Sequence, residues 1–284
     1  MRSLARWGAS VLGERPDVTG SPDLDAEVLL RHLLGLDRTA YFMAAQDAVA
    51  PEVADRYADV LSRRLGGEPV AYLTGIREFF GLSFLVTPAV LVPRPETESL
   101  VLWALDRARR HVPATVLDIG TGSGAIALSV AARQPPDRET RVIGSDVSAE
   151  ALAVARQNQR ALGTNGAVSA VTFVRGDLAA WCRGPIDLLL ANLPYLTPEQ
   201  VSGNPDLAAE PSLALVSGPD GLAAIDRLVA DLPRVLSPAG AAILELDPAQ
   251  AKTVRYRIGL LMPSATVTIH PDLAGLDRFV TVER

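Results

Sequence analysis

The sequence predicts an α/β protein in which a Rossmann-like, mostly parallel sheet follows a small helical domain. Three observations support this fold class. Helix and strand patterns alternate from about residue 97 onward, which is typical of a parallel sheet covered by helices on both faces. The first 74 residues show helical spacing of apolar residues instead. Between these parts lies an aromatic and β-branched run around a glycine, which predicts a hairpin.

The N-terminal domain is predicted to be helical. A cap at Ser21-Pro22-Asp23 precedes apolar residues at helical spacing, namely Leu24, Val28, Leu29, Leu33 and Leu34. Pro51 begins a second helical stretch that Gly66-Gly67 ends, with Val53, Tyr57, Val60, Leu61 and Leu65 on one face. We therefore expect residues 1–74 to form a helical domain.

The segment 75–95 is predicted to be a β-hairpin linker between two domains. Its residues 79–86 place aromatic and β-branched side chains around Gly81. Three prolines, Pro88, Pro93 and Pro95, then stiffen the chain. The remaining residues, 96–284, are expected to form the second domain.

The second domain alternates between the two kinds of element. Helices are predicted at 97–110, 124–133, 149–162, 221–236 and 249–259. Strands are predicted at 114–118, 141–145, 170–174, 186–190, 241–246, 265–269 and 278–282. The last two strands have no clear helix between them, so we expect an antiparallel hairpin at one edge. Ligands of such sheets bind at the carboxyl ends of the strands.

Composition narrows the class of protein. A net charge of −6 argues against a broad basic surface for duplex nucleic acid. No apolar run approaches the roughly 20 residues of a membrane span, and no signal-peptide pattern occurs, so we expect a cytoplasmic protein. The single cysteine, Cys182, and three scattered histidines predict no disulfide and no metal site.

A glycine loop follows the strand predicted at 114–118. It consists of Gly120, Thr121, Gly122, Ser123 and Gly124, all of which we assign to cofactor binding. Glycines allow a tight turn and a close approach of the backbone to a ligand, and the helix start behind them offers free N–H groups. With Ala125 the loop also fits the dinucleotide fingerprint, so an NAD enzyme is an alternative at this point.

Two further strand ends carry candidate cofactor ligands. Asp146 follows the strand predicted at 141–145, where a carboxylate can accept hydrogen bonds from both ribose hydroxyls of NAD or S-adenosylmethionine. The alternative role for Asp146 is a helix N-cap. Asp177 and Leu178 follow the next strand, where a polar side chain suits the edge of an adenine ring and an apolar one its face.

The turn Asn192-Leu193-Pro194-Tyr195 after the strand predicted at 186–190 distinguishes the cofactors. An amide nitrogen is a poor nucleophile, but the Asn192 side-chain oxygen and the Leu193 carbonyl can hold its two N–H groups. Pro194 restricts Leu193 to extended geometry, and Tyr195 can stack on a planar substrate. The turn therefore predicts methyl transfer from S-adenosylmethionine to an amide or exocyclic amine nitrogen, with these four residues as catalytic and substrate-binding residues.

Six segments resemble one family, the release-factor glutamine N5-methyltransferases. They are 68–75, 78–82, 91–98, 117–124, 210–215 and 272–278, and Pro93-Arg94-Pro95-Glu96-Thr97-Glu98 is highly specific to that family. The resemblance implies a class I methyltransferase sheet and an N-terminal domain that docks a peptide chain release factor. It also implies that the substrate is the glutamine of a Gly-Gly-Gln loop, and that Gly120 to Gly124, Asp146, Leu178 and Asn192 meet the cofactor.

The chain departs from the family pattern at two positions. Leu193 stands where the family usually has proline, and Asp247 where it commonly has glycine. Leucine can still offer its backbone carbonyl, and Asp247 lies outside the proposed chemistry. The remaining alternative is an adenine-N6 methyltransferase acting on nucleic acid, although such enzymes would be expected to have a basic surface. We expect a monomer that binds neither nucleic acid nor membranes directly.

Overall fold

The described residues form two compact units, one helical and one built on a sheet. The smaller unit comprises Met1–Ile76 and Ser202–Ala209, and the larger comprises Arg77–Val201 and Glu210–Arg284. The computed structural model describes residues 1–111, 113–134, 140–163, 166–204 and 207–284.

The smaller unit packs its helices around Tyr57. Its helices are α1 (Arg2–Leu12), α2 (Pro22–Leu34), α3 (Arg38–Met43), α4 (Pro51–Leu65) and α5 (Val70–Thr74). The fully buried Tyr57 donates a hydrogen bond from its hydroxyl to the Ala26 carbonyl at 2.9 Å. Gly8 lets α1 approach closely, because a Cβ there would lie 2.1 Å from the Tyr57 hydroxyl. The two predicted helices correspond to α2 and α4, whereas α1 was not predicted.

A seven-stranded sheet forms the larger unit. Its strands are β3 (Thr115–Ile119), β4 (Arg141–Asp146), β5 (Thr172–Arg175), β6 (Ile186–Asn192), β7 (Leu236–Glu245), β8 (Thr266–Pro271) and β9 (Asp277–Glu283), after the hairpin of β1 (Ile76–Phe79) and β2 (Leu82–Leu85). The sheet order is β5-β4-β3-β6-β7-β9-β8. The first five strands in this order pair in parallel, and β9 pairs antiparallel with both of its neighbours. The predicted parallel sheet with an antiparallel edge hairpin is confirmed.

Helices cover both faces of the sheet. The helices from residue 98 onward are α6 (Glu98–Arg110), α7 (Ala125–Arg133), α8 (Ala149–Leu162), α9 (Gly166–Ser169), α10 (Pro198–Ser202), α11 (Ser212–Leu215), α12 (Ala223–Val235) and α13 (Ala251–Leu261). Leu117 and Leu189 join one core with α12 and α13, and Val116 and Leu188 join another with α6, α7 and α8. Burial on both faces explains the nearly continuous apolar strands. None of the described helices is both long and apolar enough to cross a membrane.

The hairpin predicted as a linker packs into the larger unit. Phe80 and Gly81 occupy its turn with φ of 53° and 72°, as a tight hairpin turn requires. Phe79 and Phe84 are fully buried, with ring centroids 6.1 Å apart and an edge-on arrangement. The buried Asn158 of α8 also hydrogen-bonds the backbone of β2. These contacts anchor the hairpin in the core instead of leaving it as a free connection.

Candidate active site

A cavity of about 610 Å³ lies at the carboxyl ends of the parallel strands. This volume is within the roughly 300–1,000 Å³ typical of small-molecule sites. The predicted site residues that line it are Gly120, Thr121, Gly122, Ser123, Asp146, Asp177, Leu178, Asn192, Leu193 and Pro194. Gly124 and Tyr195 do not line it. Ten of the twelve predicted site residues therefore line one cavity, and they come from four separate strand ends.

The glycine loop needs its glycines for backbone geometry. Gly120, Gly122 and Gly124 have φ of 72°, 53° and 82°, a region that side chains rarely adopt. A Cβ at Gly124 would lie 3.0 Å from Leu128, so this glycine shapes the packing of α7. A Cβ at Gly122 would meet only a backbone oxygen at 4.0 Å, which leaves this part of the loop open on the cavity side.

The side chain of Asp118, in β3, anchors the glycine loop by hydrogen bonds. Its Oδ2 accepts hydrogen bonds from the Thr121 hydroxyl at 2.6 Å and the Ala127 N–H at 3.2 Å. Its Oδ1 has no hydrogen-bond partner in the described part of the chain. Complete burial raises the pKa of Asp118 to about 7, even though both hydrogen bonds act in the opposite direction. A buried carboxyl group therefore connects β3, the loop and α7.

Asp146 ends β4 and faces the cavity. Its Oδ2 accepts from the Gly122 N–H and its Oδ1 from the Ser148 N–H, each at 2.9 Å. Burial raises the pKa of Asp146, while these backbone hydrogen bonds lower it. The N-cap of α8 is Ser148, whose hydroxyl accepts from the Ala151 N–H at 3.1 Å, so the N-cap alternative for Asp146 is wrong. Both carboxylate oxygens retain lone pairs for a ligand.

Asp177 and Leu178 lie at the same edge of the cavity. Leu178 has a φ of 48°, which a leucine rarely adopts and which turns the chain sharply after β5. Asp177 Oδ2 lies 2.5 Å from Arg227 Nη2 of α12, and both of these side chains are about half exposed. Arg227 lines the cavity but was not predicted, because nothing in α12 marks it in sequence.

Asn192, the last residue of β6, presents a free acceptor. Its Nδ2 donates a hydrogen bond to Thr97 Oγ1 at 2.9 Å. None of the described residues donates to its Oδ1. Asn192 lines the cavity, so a carbonyl-type oxygen is available there for a substrate N–H. Thr97 also lines the cavity and was not predicted as a site residue.

Leu193 combines a free carbonyl with a buried side chain. Within the described ranges, no N–H donates to the Leu193 carbonyl. Its side chain is only 4% exposed and belongs to the core that β6 shares with α12. A Cβ on Gly120 would lie 3.1 Å from Leu193 Cδ2, so the leucine supports the glycine loop. The sequence predicted the carbonyl but not this packing.

Tyr195 differs from the predicted stacking residue. Its ring packs against the core instead of lining the cavity, and its hydroxyl points to Glu245 Oε1 at 3.5 Å. Burial raises the pKa of Tyr195 to about 12, and the nearby Glu245 adds to this rise. Tyr195 therefore stays protonated at physiological pH and lies behind the turn.

Comparisons with known proteins agree with this geometry. Residues 3–75 match the family described as PrmC N-terminal domain, and residues 116–203 match a family described as methyltransferase domain. A release factor glutamine methyltransferase of Deinococcus radiodurans is 40% identical over 265 residues, which cover 93% of this chain and 92% of that protein. The chain belongs to the release factor glutamine methyltransferase family.

A second relative supports this family assignment, and one solved structure shares the fold. A release factor glutamine methyltransferase of Burkholderia pseudomallei is 42% identical over 261 residues, covering 90% of each chain. The hMettl16 catalytic domain, crystallised with the MAT2A 3'UTR hairpin 6, has a TM-score of 0.57 and covers 84% of this chain and 94% of that chain. Its sequence identity is 15%, so this likeness concerns the class I methyltransferase fold alone.

The family segment Pro93-Arg94-Pro95 is held by a buried carboxylate. Arg94 forms an ion pair with Glu210, whose side chain is 2% exposed. Glu210 Oε2 also accepts a hydrogen bond from the Val92 N–H at 3.0 Å. This glutamate begins the family segment 210–215, so the two segments meet at the cavity wall. Their partnership was not predicted from sequence.

Asp247, the second departure from the family, shapes a local turn. Its Oδ1 accepts a hydrogen bond from the Ala249 N–H at 2.9 Å, two residues further on. Such a side-chain turn is a common use of aspartate before a helix. Asp247 does not line the cavity.

Proposed function

We propose that this family member transfers a methyl group from S-adenosylmethionine to the side-chain amide nitrogen (N5) of a glutamine. The glutamine is the one in the Gly-Gly-Gln motif of peptide chain release factors. The observation that carries this proposal is Asn192, whose Oδ1 is free in the cavity while its Nδ2 is bound to Thr97. A site with a fixed, unpaired acceptor suits a substrate that brings N–H groups.

The cavity residues fit the proposed cofactor. Asp146 retains lone pairs that can accept the two ribose hydroxyls, and Asp177 with Leu178 offers a polar and an apolar contact for adenine. The open side of Gly122 permits close approach of the cofactor to the loop backbone. When bound, S-adenosylmethionine supplies an electrophilic methyl group carried on a positively charged sulfur.

Asn192 and Leu193 are proposed to position the amide nitrogen. Asn192 Oδ1 and the Leu193 carbonyl oxygen can each accept one N–H of the glutamine NH2 group. Holding both N–H bonds fixes the plane of the amide and aims the nitrogen lone pair toward the methyl donor. No strong base is required, because the proton becomes acidic once the nitrogen carries the methyl group. The proton stays on the nitrogen, hydrogen-bonded to one of these acceptors, until water removes it.

The protein substrate is proposed to dock on the helical unit. The curated relatives are named release factor glutamine methyltransferases, and residues 3–75 match a domain that their family shares. Phe42 and Met43 of α3 place two adjacent apolar side chains on the surface of this unit, where a protein substrate could contact them. We further propose a cytoplasmic monomer.

The test is single-turnover methylation of purified release factor with labelled S-adenosylmethionine at saturating concentration. Mass mapping should locate the label on the Gly-Gly-Gln glutamine, and a release factor with alanine at that glutamine should remain unlabelled. Asn192→Ala should reduce the rate by ~10²–10³-fold, as expected for one lost transition-state contact. Adenine-containing RNA and DNA serve as the comparison. Labelling of these nucleic acids without labelling of release factor would support the adenine-N6 alternative and refute the proposal.

A further inference from the structure

One buried carboxylate, that of Glu210, joins two chain segments at the wall of the cavity. The segments 91–97 and 211–217 both contribute side chains to the cavity lining, whereas Glu210 itself does not line the cavity. We propose that Glu210 is a positioning residue for methyl transfer, because it holds the first segment where Thr97 restrains Asn192. This inference rests on the proposed function of Asn192, and it adds a residue that acts on the reaction from behind the cavity wall.

The two carboxylate oxygens of Glu210 bind different parts of the first segment. Oε2 accepts a hydrogen bond from the backbone N–H of Val92 at 3.0 Å, and Oε1 accepts one from the Arg94 guanidinium, with which it forms an ion pair. The Glu210 side chain is 2% exposed, so water cannot freely replace either donor. One bond to the backbone and one to a side chain together fix both the position and the orientation of this segment.

Thr97 transmits this restraint to Asn192. The backbone N–H of Thr97 donates to the Arg94 carbonyl at 3.2 Å and so closes the short 3₁₀ turn Pro95–Thr97. The buried Thr97 then accepts a hydrogen bond at Oγ1 from Asn192 Nδ2 at 2.9 Å. A single turn of chain therefore separates the residue that Glu210 binds from the residue that contacts Asn192.

The second segment connects Glu210 to the other end of the active-site turn, 192–195. Helix α11 begins two residues after Glu210. Leu196, the residue that follows the turn, donates its N–H to the Leu215 carbonyl at 2.9 Å, and its carbonyl accepts from the Ser217 N–H at 3.0 Å. Contacts thus run from Glu210 in both directions along the chain and reach the turn at each of its ends.

Stability alone is a weak reason for a charged side chain at position 210. A buried charge is costly unless it is paired and hydrogen-bonded, and apolar side chains often replace a buried ion pair without loss of stability. Apolar packing gives little direction, whereas a carboxylate holds two donors at defined angles. A displacement of about 1 Å between positioned reacting groups can cost ~10²-fold in rate. Glu210 is therefore suited to aligning the site.

The first experiment measures single-turnover methylation of release factor by the full chain at saturating release factor and cofactor. Glu210→Gln has the same shape, but its NH2 group must face a second donor, either the Val92 N–H or Arg94. We expect the rate constant to fall about tenfold, the effect of about one hydrogen bond, and cofactor affinity in calorimetry to stay unchanged. Equal rates for Glu210→Gln and the wild type would overturn the inference, and so would an equally large loss of cofactor affinity.

Asp187→Asn is the matched control for a general loss of stability. Asp187 Oδ2 accepts from two backbone N–H groups at 3.0 Å each, and its Oδ1 accepts from the Ser237 hydroxyl at 2.8 Å. This residue lies at the opposite end of β6 from Asn192, so the same acid-to-amide change acts far from the site. Urea unfolding should show lower stability for both variants, and only Glu210→Gln should lose rate. A comparable loss of rate in Asp187→Asn would overturn the inference.

A double-mutant comparison tests the route through Thr97. Thr97→Val removes the acceptor for Asn192, so adding Glu210→Gln to it should lower the rate by no more than about twofold. Thr97→Ser keeps the hydroxyl, and in that background Glu210→Gln should keep its full effect. Losses that multiply in the Thr97→Val background would contradict the inference, because Glu210 would then act through another contact.

A final measurement does not depend on the substrate. The chain has four asparagines, so selective ¹⁵N labelling of their side chains gives few signals, and Asn192→Asp assigns the relevant one. Relaxation of the Asn192 NH2 group should report a rigid side chain in the wild type and in Asp187→Asn, and a more mobile one in Glu210→Gln. Unchanged relaxation in Glu210→Gln would overturn the inference even if release factor is methylated. Increased mobility without any methylation of release factor by the wild type would instead refute only the proposed substrate.

Discussion

Replacing Leu193 with alanine should separate stability from chemistry at the active-site turn. The side chain is 4% exposed and packs beneath Gly120 in the core shared with α12. Leucine-to-alanine changes at such sites lower the free energy of unfolding by about 2–5 kcal/mol. The backbone carbonyl, which carries the proposed function of this residue, remains. We therefore expect a less stable enzyme whose single-turnover rate stays within about tenfold of the wild type, or about 1.4 kcal/mol of barrier.

Leu193→Pro tests the same reasoning, because it removes the leucine side chain and the backbone N–H but keeps the backbone carbonyl. Proline retains the carbonyl that carries the proposed function of this residue. Pro194 already demands extended geometry at this position. We expect this variant to be active as well, with reduced stability because the leucine packing is lost.

Urea unfolding and single-turnover methylation, both at a temperature where each variant is folded, measure the two effects. Leu232→Ala is the matched control, since Leu232 is fully buried in the same core but lies away from the turn. It should lose similar stability and keep its rate. A folded Leu193→Ala variant that is a hundredfold slower would refute the reasoning and show that the leucine side chain shapes the substrate pocket.

Three further predictions concern the cofactor, pH and docking. Asp146→Ala should weaken S-adenosylmethionine binding by about 1–3 kcal/mol in calorimetry, and unchanged affinity in a folded variant would remove the ribose assignment. Asp118 has a native pKa of about 7, above its unfolded value, so the native state holds a proton that the unfolded state releases between about pH 4 and 7. The free energy of unfolding should therefore fall as pH rises through this window, and Asp118→Asn should reduce the fall; an increase with pH would contradict it. Replacing Phe42 and Met43 with serine should raise the concentration of intact release factor that gives half-maximal rate. Tyr256→Ser, which changes a similarly exposed residue of the larger unit, should leave that concentration unchanged. Equal effects of the two changes would argue against docking on α3.

The strands of the sheet could be predicted because each one is marked by a pattern of consecutive residues. Strands buried on both faces appear as short apolar runs, and the glycine loop indicates a turn with positive φ angles, which favour glycine. The helix α1 was missed although its pattern is amphipathic, with Arg2 and Arg6 exposed on one face and Gly8 and Leu12 buried on the other. Its close contact with Tyr57 depends on Gly8, which by itself signals no helix.

The partners of the site residues could not be predicted in the same way. Asn192 and Thr97 are 95 positions apart, and Tyr195 and Glu245 are 50 positions apart, so only the folded sheet brings them together. A weak signal existed nonetheless. Asp118 and Glu245 are charged residues within otherwise apolar strands, and a carboxyl group buried in this way usually has a specific partner or function.

The strand order also determines when the sheet can assemble. Strand β9 lies between β7 and β8, so β8 has no neighbour in the sheet until β9 has formed. Likewise β3 gains its second neighbour only from β6. Between Ile119 at the end of β3 and Ile186 at the start of β6 lie 66 residues. Contacts between distant parts of a chain form slowly because loop closure precedes them. Strand β8 can therefore pair only after β9, which follows it in the sequence, and the apolar strand β3 keeps one edge unpaired until β6 is available.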